Sequence, residues 1–159
     1  MQFLAFSLFA AGIVAADQFT KYLTVANIAL YEDVPFLPGL LQLTYVQNTG
    51  AAFSSFEGQQ WLFALIFAVF TGMIIWEFFK NSMKFTTFEW WCIAAIYGGG
   101  LGNMIDRVRL GYVVDMIETT FIEFPVFNVA DCFITFGCIA LMVHLVLCNK
   151  DFWKDDKKK

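Results

Sequence analysis

Four stretches of the chain, at about 3–24, 60–79, 88–105 and 130–148, are apolar almost throughout. Each reaches the roughly 20 residues that a helix needs to cross a bilayer. The pattern changes in the two longer connections between them. Leu41-Gln-Leu-Thr-Tyr-Val-Gln47 alternates apolar and polar residues as a half-buried strand does, and runs straight into Asn48-Thr-Gly50. Gly111-Tyr-Val-Val-Asp115-Met-Ile reads as a second strand, with Glu118-Thr-Thr120 as a turn before 121–127. The pattern predicts a mainly α membrane protein: a four-transmembrane-helix bundle carrying a small β structure, in a single domain over 1–159.

Composition agrees. Of 159 residues, 59% are apolar and 19% aromatic, more than one small soluble domain could bury. The net charge of -4 says less than its distribution. Lys80 and Lys84 follow the second span, and Lys150, Lys154, Lys157, Lys158 and Lys159 lie in the tail at 149–159, so seven of the ten basic residues fall on one side. That side is predicted to be cytoplasmic, with both termini, and the tail is expected to be solvated and mobile. The connection at 25–59 has no Lys or Arg and is expected outside, together with 106–129. Val14-Ala15-Ala16 before Asp17 resembles a signal-peptide cleavage site, but no basic residue precedes it, so the first helix is expected to be retained. The run Ser54-Ser-Phe56-Glu-Gly-Gln-Gln60-Trp61 fits either a short interfacial helix or a plain aromatic belt. Gly98-Gly-Gly100-Leu-Gly102 lacks the Lys-Ser/Thr of a phosphate loop and reads as a site of close helix packing.

Into this greasy sequence two aspartates are set, Asp115 in the second strand and Asp131 in Phe-Asn128-Val-Ala-Asp131, with no basic residue alongside. Lone buried carboxylates are costly. Two brought close together cannot both ionise, and such a proton-sharing pair is a means of activating water for peptide hydrolysis. Cys92, Cys132, Cys138 and Cys148 fall in spans at no metal-ligand spacing and read as packing residues. His144, the sole histidine, is placed deep in the fourth span, and without His-Glu-x-x-His a zinc protease is excluded. No metal or organic cofactor is expected, and nothing calls for nucleic acid or an obligate protein partner.

Other polar residues at membrane depth are functional hypotheses by default. Asp17 lies roughly 12 Å inside the outer end of the first span, and Lys21, four residues on, shares its face and can pair with it. Asn103 and Asp106 share a face at the end of the third span, beside Arg107, whose outward position runs against the charge bias and whose donors suit peptide carbonyls. Arg109 reads as a membrane-boundary residue. Asn128 is placed to cap the fourth helix, with Asp131 at its third position. The positive end of that helix favours an ionised Asp131, while desolvation raises the pKa of Asp115, which suggests Asp131 as base and Asp115 as acid.

Asp17-Gln-Phe-Thr-Lys21, Asn48-Thr-Gly50-Ala-Ala-Phe53-Ser, Gly102-Asn103-Met-Ile-Asp106-Arg107 leading to Tyr-Val-Val-Asp115, and Phe127-Asn128-Val-Ala-Asp131 resemble, in order, the motif set of the signal peptidase II family. The resemblance implies an intramembrane aspartyl endopeptidase that removes signal peptides from bacterial prolipoproteins, cutting before a Cys that carries diacylglyceryl. It implies Asp115 and Asp131 as the catalytic pair. Asn48, Gly50, Asn103, Arg107 and Asn128 would line the site, and Asp17, Lys21 and Asp106 would support it. Location in the bacterial cytoplasmic membrane is implied, with the site near the outer face and membrane lipid around it. Met116 departs from the family, which usually has Phe there. The competing reading is a small proton-coupled transporter, whose relay would spread carboxylates through the membrane depth. Here Asp115 and Asp131 cluster at one boundary. A structural scaffold leaves both aspartates unexplained, and a serine protease lacks Gly-x-Ser-x-Gly.

Overall fold

A computed structural model describes residues 2–50, 58–80 and 83–149. In chain order the elements are α1 (Gln2–Asn27), β1 (Val34–Leu37), β2 (Leu41–Asn48), α2 (Gln60–Lys80), α3 (Thr87–Leu110), β3 (Val113–Thr119) and α4 (Val129–Leu147). The tail and part of the run from Ser54 lie outside the described residues; Gln60 and Trp61 of that run begin α2.

Among the described residues three helices, α1, α2 and α4, are long and apolar enough to cross a membrane. The third, α3, is long enough but too polar, and its position explains why. It packs against α1, α2 and α4 together, so much of its surface faces protein, and its buried residues include Ala94, Ala95, Gly98, Gly99, Gly102, Asn103 and Asp106. The outer helix α2 shows the opposite: Leu65, Ile66, Val69, Met73, Trp76 and Phe79 all point outward, as lipid-facing side chains do.

Small residues set the close approach to α3. A Cβ on Gly99 would lie 2.5 Å from the Ala130 carbonyl oxygen of α4, and one on Gly102 would lie 2.5 Å from Asp17 Oδ2 of α1. Neither neighbour leaves room for even a methyl group, so the predicted packing role of the glycine run holds. At the other end of the bundle Phe6, Phe78 and Trp90 pack ring against ring, Phe78 stacked on Trp90 at 4.2 Å. There, Glu89 closes a capping box with Thr86 and also accepts from Asn149 Nδ2, with His144 Nδ1 2.9 Å from its Oε1. His144 is therefore in the last turn of α4 and not deep within it. The four cysteines are free, as expected, but only Cys92 is a buried packing residue; Cys138 and Cys148 are exposed.

The sheet is antiparallel in the order β1-β2-β3. Its register shifts between Leu43 and Val46, after which Val46 pairs with Asp115. The predicted turn at Glu118-Thr119 is instead the end of β3, because both residues pair with β2. No alternation announces β1: Val34-Pro-Phe-Leu37 is exposed throughout, and its proline is tolerated because the strand is an edge. After β3 the chain loops out and returns at Phe127, which exchanges backbone hydrogen bonds with Ile117 at 2.8 and 3.0 Å before α4 begins. The return brings the start of α4 beside β3.

Candidate active site

Val113, Val114, Asp115 and Met116 are all buried, so β3 is covered on both faces. Val114 and Met116 pack with Tyr45 on one side, where Met116 is itself part of the buried cluster. Asp115 points to the other. Asp131 stands at the third position of α4, where its Oδ2 accepts the Asn128 N–H at 3.1 Å and Asn128 Oδ1 accepts the Asp131 N–H at 2.9 Å. This capping box fixes the Asn128 side chain. With its oxygen committed to α4, its amide nitrogen is turned to β3 and donates to Asp115 Oδ1 at 2.6 Å. One asparagine thus joins the cap around Asp131 to the carboxylate of Asp115.

Two more amides complete the set. Asn48, at the end of β2, donates to Asp115 Oδ2 at 2.9 Å. Asn103 of α3 donates to Asp131 Oδ1 at 2.7 Å. The orientation of Asn103 follows from chemistry, since its Oδ1 faces Lys21 Nζ at 2.9 Å and an ammonium can only donate. Burial pushes the Asp115 carboxyl up to about 6, against the hydrogen bond from Asn48 and with the help of the Asp131 charge.

Behind the carboxylates lies a buried ionic layer. Lys21 Nζ is 2.9 Å from both Asp17 Oδ2 and Asp106 Oδ2. The expected Asp17–Lys21 pair is present, and Asp106 makes it a triad. The two acids have further partners: Asp17 Oδ1 accepts the Ala130 N–H at 3.0 Å, and Asp106 Oδ2 accepts the Val114 N–H at 3.1 Å. Gln18, not singled out by the sequence reading, donates to Asp106 Oδ1 at 2.9 Å and to the Gly102 carbonyl at 3.2 Å. Its only signal was a polar residue beside Asp17 in an apolar helix.

Asp115 and Asp131 line a cavity of about 480 Å³ with Asn48, Asn103 and Arg107 on its polar side and Phe127, Cys132, Thr135 and Phe136 on its apolar side. Gly50 and Asn128 do not line it. Asn128 is completely buried behind the carboxylates, and the Gly50 carbonyl accepts from Arg107 Nη2 at 3.0 Å. The Arg107 guanidinium also lies 4.3 Å from the Phe63 ring centroid, and among the described residues its buried Nε has no partner. No group of three or more His, Cys, Asp or Glu able to hold a metal occurs among the described residues. Two carboxylates held by neutral amides in the wall of a half-apolar cavity can trade protons with a water and a bound carbonyl.

Several apolar helices, a small sheet and a carboxylate-lined cavity define a membrane protein with a candidate active site. The family model described as signal peptidase (SPase) II matches residues 9–147, and the chain belongs to that family of peptidases. It is 44% identical over 149 residues to the lipoprotein signal peptidase of Enterococcus faecalis, covering 92% of this chain and 91% of that one. With the lipoprotein signal peptidase of Streptococcus pyogenes serotype M1 it shares 42% identity over 144 residues, covering 91% and 90%. Its fold is similar to that of a bacterial membrane enzyme solved by the in meso method at 2.3 Å resolution, with a TM-score of 0.84 and 30% identity over 98% of this chain and 94% of the other. A second such structure, at 1.9 Å, matches with a TM-score of 0.81 and 32% identity over 91% and 94%.

Proposed function

We propose that the protein is an aspartyl endopeptidase of the cytoplasmic membrane that cuts diacylglyceryl-modified prolipoproteins before the lipidated Cys. The observation that carries this reading is Asn128, which caps Asp131 and donates to Asp115, so that the two carboxylates act as one unit on one cavity. Asp131, at the positive end of α4, takes a proton from water, and the resulting hydroxide attacks the carbonyl that precedes the Cys. Asp115, with its raised affinity for a proton, polarises that carbonyl and then protonates the leaving amine. Arg107 and Asn103 donors hold the substrate backbone and the oxyanion. The apolar wall of the cavity receives the acyl chains from the bilayer.

In this reading α3 is the fourth span, its polar residues shielded by α1, α2 and α4, and the chain forms one domain. The lysines near 80 and in the tail set the termini in the cytoplasm and the carboxylates near the outer face. Neither metal nor organic cofactor takes part.

Cleavage of a lipidated synthetic prolipoprotein peptide by the purified protein in detergent tests the proposal. Asp115→Asn and Asp131→Asn are each expected to slow turnover by roughly 10³-fold or more with substrate binding largely kept, and the double variant to be no slower than either single. Near-normal turnover in either single variant would falsify the aspartyl mechanism.

A further inference from the structure

A second and larger space, of about 890 Å³, opens beside the first over the β structure. The two share Asn48, Asp115, Phe124, Pro125 and Val126, so Asp115 stands where they meet. Beyond the shared residues the linings differ. The smaller follows Cys132, Thr135 and Phe136 down α4, whereas the larger carries the polar residues Gln42, Gln47 and Thr49 of β2 and its end and Glu118, Thr120 and Glu123 of β3 and the loop after it, beside Val46, Phe121 and Ile122. Among the described residues no Lys or Arg lines the larger groove. None is near in sequence either, since the chain has no Lys or Arg over 22–79 or 110–149. Arg107 lines only the smaller cavity, its head group tied to the Gly50 and Asn103 carbonyls. Glu118 is held across the sheet by Gln42 Nε2 at 2.8 Å, and Glu123 is exposed.

We propose that this groove holds the stretch of substrate that follows the lipidated Cys, and that Glu118 and Glu123 make it favour basic side chains there. The proposal rests on the peptidase reading above. A substrate cut before its lipidated Cys has two apolar parts, the signal peptide and the acyl chains, which suit the bilayer and the apolar cavity, and a polar chain beyond the Cys that leaves the membrane and suits the groove. A segment with Lys gains two carboxylate neighbours, and one with Glu meets repulsion that no Lys or Arg among the described lining residues offsets.

Three diacylglyceryl peptides, identical through the lipidated Cys and carrying Lys, Gln or Glu in the next few residues, test this with the full-length protein in neutral detergent. At low salt kcat/KM is expected to fall in the order Lys, Gln, Glu, with about threefold to tenfold between the extremes, the size expected of two solvent-screened charge pairs. Glu118→Gln with Glu123→Gln removes the order. With the unchanged protein, raising salt to about 0.5 M shrinks the Lys-to-Glu ratio toward one. Equal rates for all three peptides at low salt, or a ratio indifferent to salt, overturn the proposal. Failure to cut even the Gln peptide overturns the peptidase reading itself, and this proposal with it.

Discussion

Asp106 Oδ2 accepts the backbone N–H of Val114 at 3.1 Å, one residue before Asp115 in the strand. Asp17 Oδ1 does the same for Ala130, one residue before Asp131, at 3.0 Å. Each proposed catalytic carboxylate is thus preceded by a backbone amide held by another, buried carboxylate, and Lys21 binds the two holders together. The ionic layer positions the backbone of the site from beneath.

Asp106→Ala frees the Val114 N–H and lets β3 drift relative to α4. Because displacement of a reacting group by about 1 Å can cost on the order of 10²-fold, kcat is expected to fall by about 10- to 100-fold while KM stays within about twofold. Asp106→Asn keeps an acceptor for Val114 and is expected to recover much of the loss. Steady-state kinetics of both variants decide whether Asp106 acts through position.

Lys21→Met leaves Asp17 and Asp106 facing each other without a cation. Breaking a buried pair in this way costs roughly 3 to 5 kcal/mol, and folded yield is expected to drop accordingly. Adding Asp17→Asn restores only part of it, since Asp106 still lacks its partner. Thermal melts of single and double variants in detergent measure the coupling; a double variant no better folded than the single would show that Asp17 and Lys21 do not pair.

Gly102→Ala drives a methyl group into Asp17, whose Oδ2 lies 2.5 Å from where the Cβ would be. A loss of about 1 to 3 kcal/mol is expected, as for overpacking elsewhere. Gly72→Ala, on α2 with nothing within 4 Å, is the control and is expected to be neutral or mildly stabilising. Equal melting temperatures for the two would remove the close contact from the account.

The Asp115 carboxyl stands at about 6 in the folded chain against an ordinary 3.8. The fold therefore binds this proton more tightly than the unfolded chain does. The contribution to stability is full below pH 3.8 and is lost as pH rises through about 6. At higher pH the ionised, buried group costs up to about 3 kcal/mol, which Asp115→Asn removes. The variant is expected to melt above the native protein at pH 8, with the difference vanishing near pH 4. A constant difference across that range would mean that the Asp115 charge is not what strains the site.

Much of this protein was legible without coordinates. Long apolar runs can only be satisfied by helices in lipid, and the polar interruptions Asp17, Lys21, Asn103, Asp106, Asp115, Asn128 and Asp131 stand out because each is expensive there. The i,i+4 spacing of Asp17 and Lys21 and the cap at Asn128 are local facts, set by helix geometry within a few residues. The alternation at Leu41 marked β2 for the same reason.

What spans the chain was decided elsewhere. That Lys21 would meet Asp106 as well as Asp17, that Gln18 would reach α3, and that Asn128 would turn its amide to Asp115 depend on how α1, α3, α4 and β3 pack. The edge strand β1 has no pattern of its own and exists through its pairing with β2. Even α3, the most polar of the helices, owes its character to its central position, because a helix shielded by its neighbours is free of the composition that lipid demands. Sequence determines which groups cannot be left in lipid alone; only packing determines which group answers each of them.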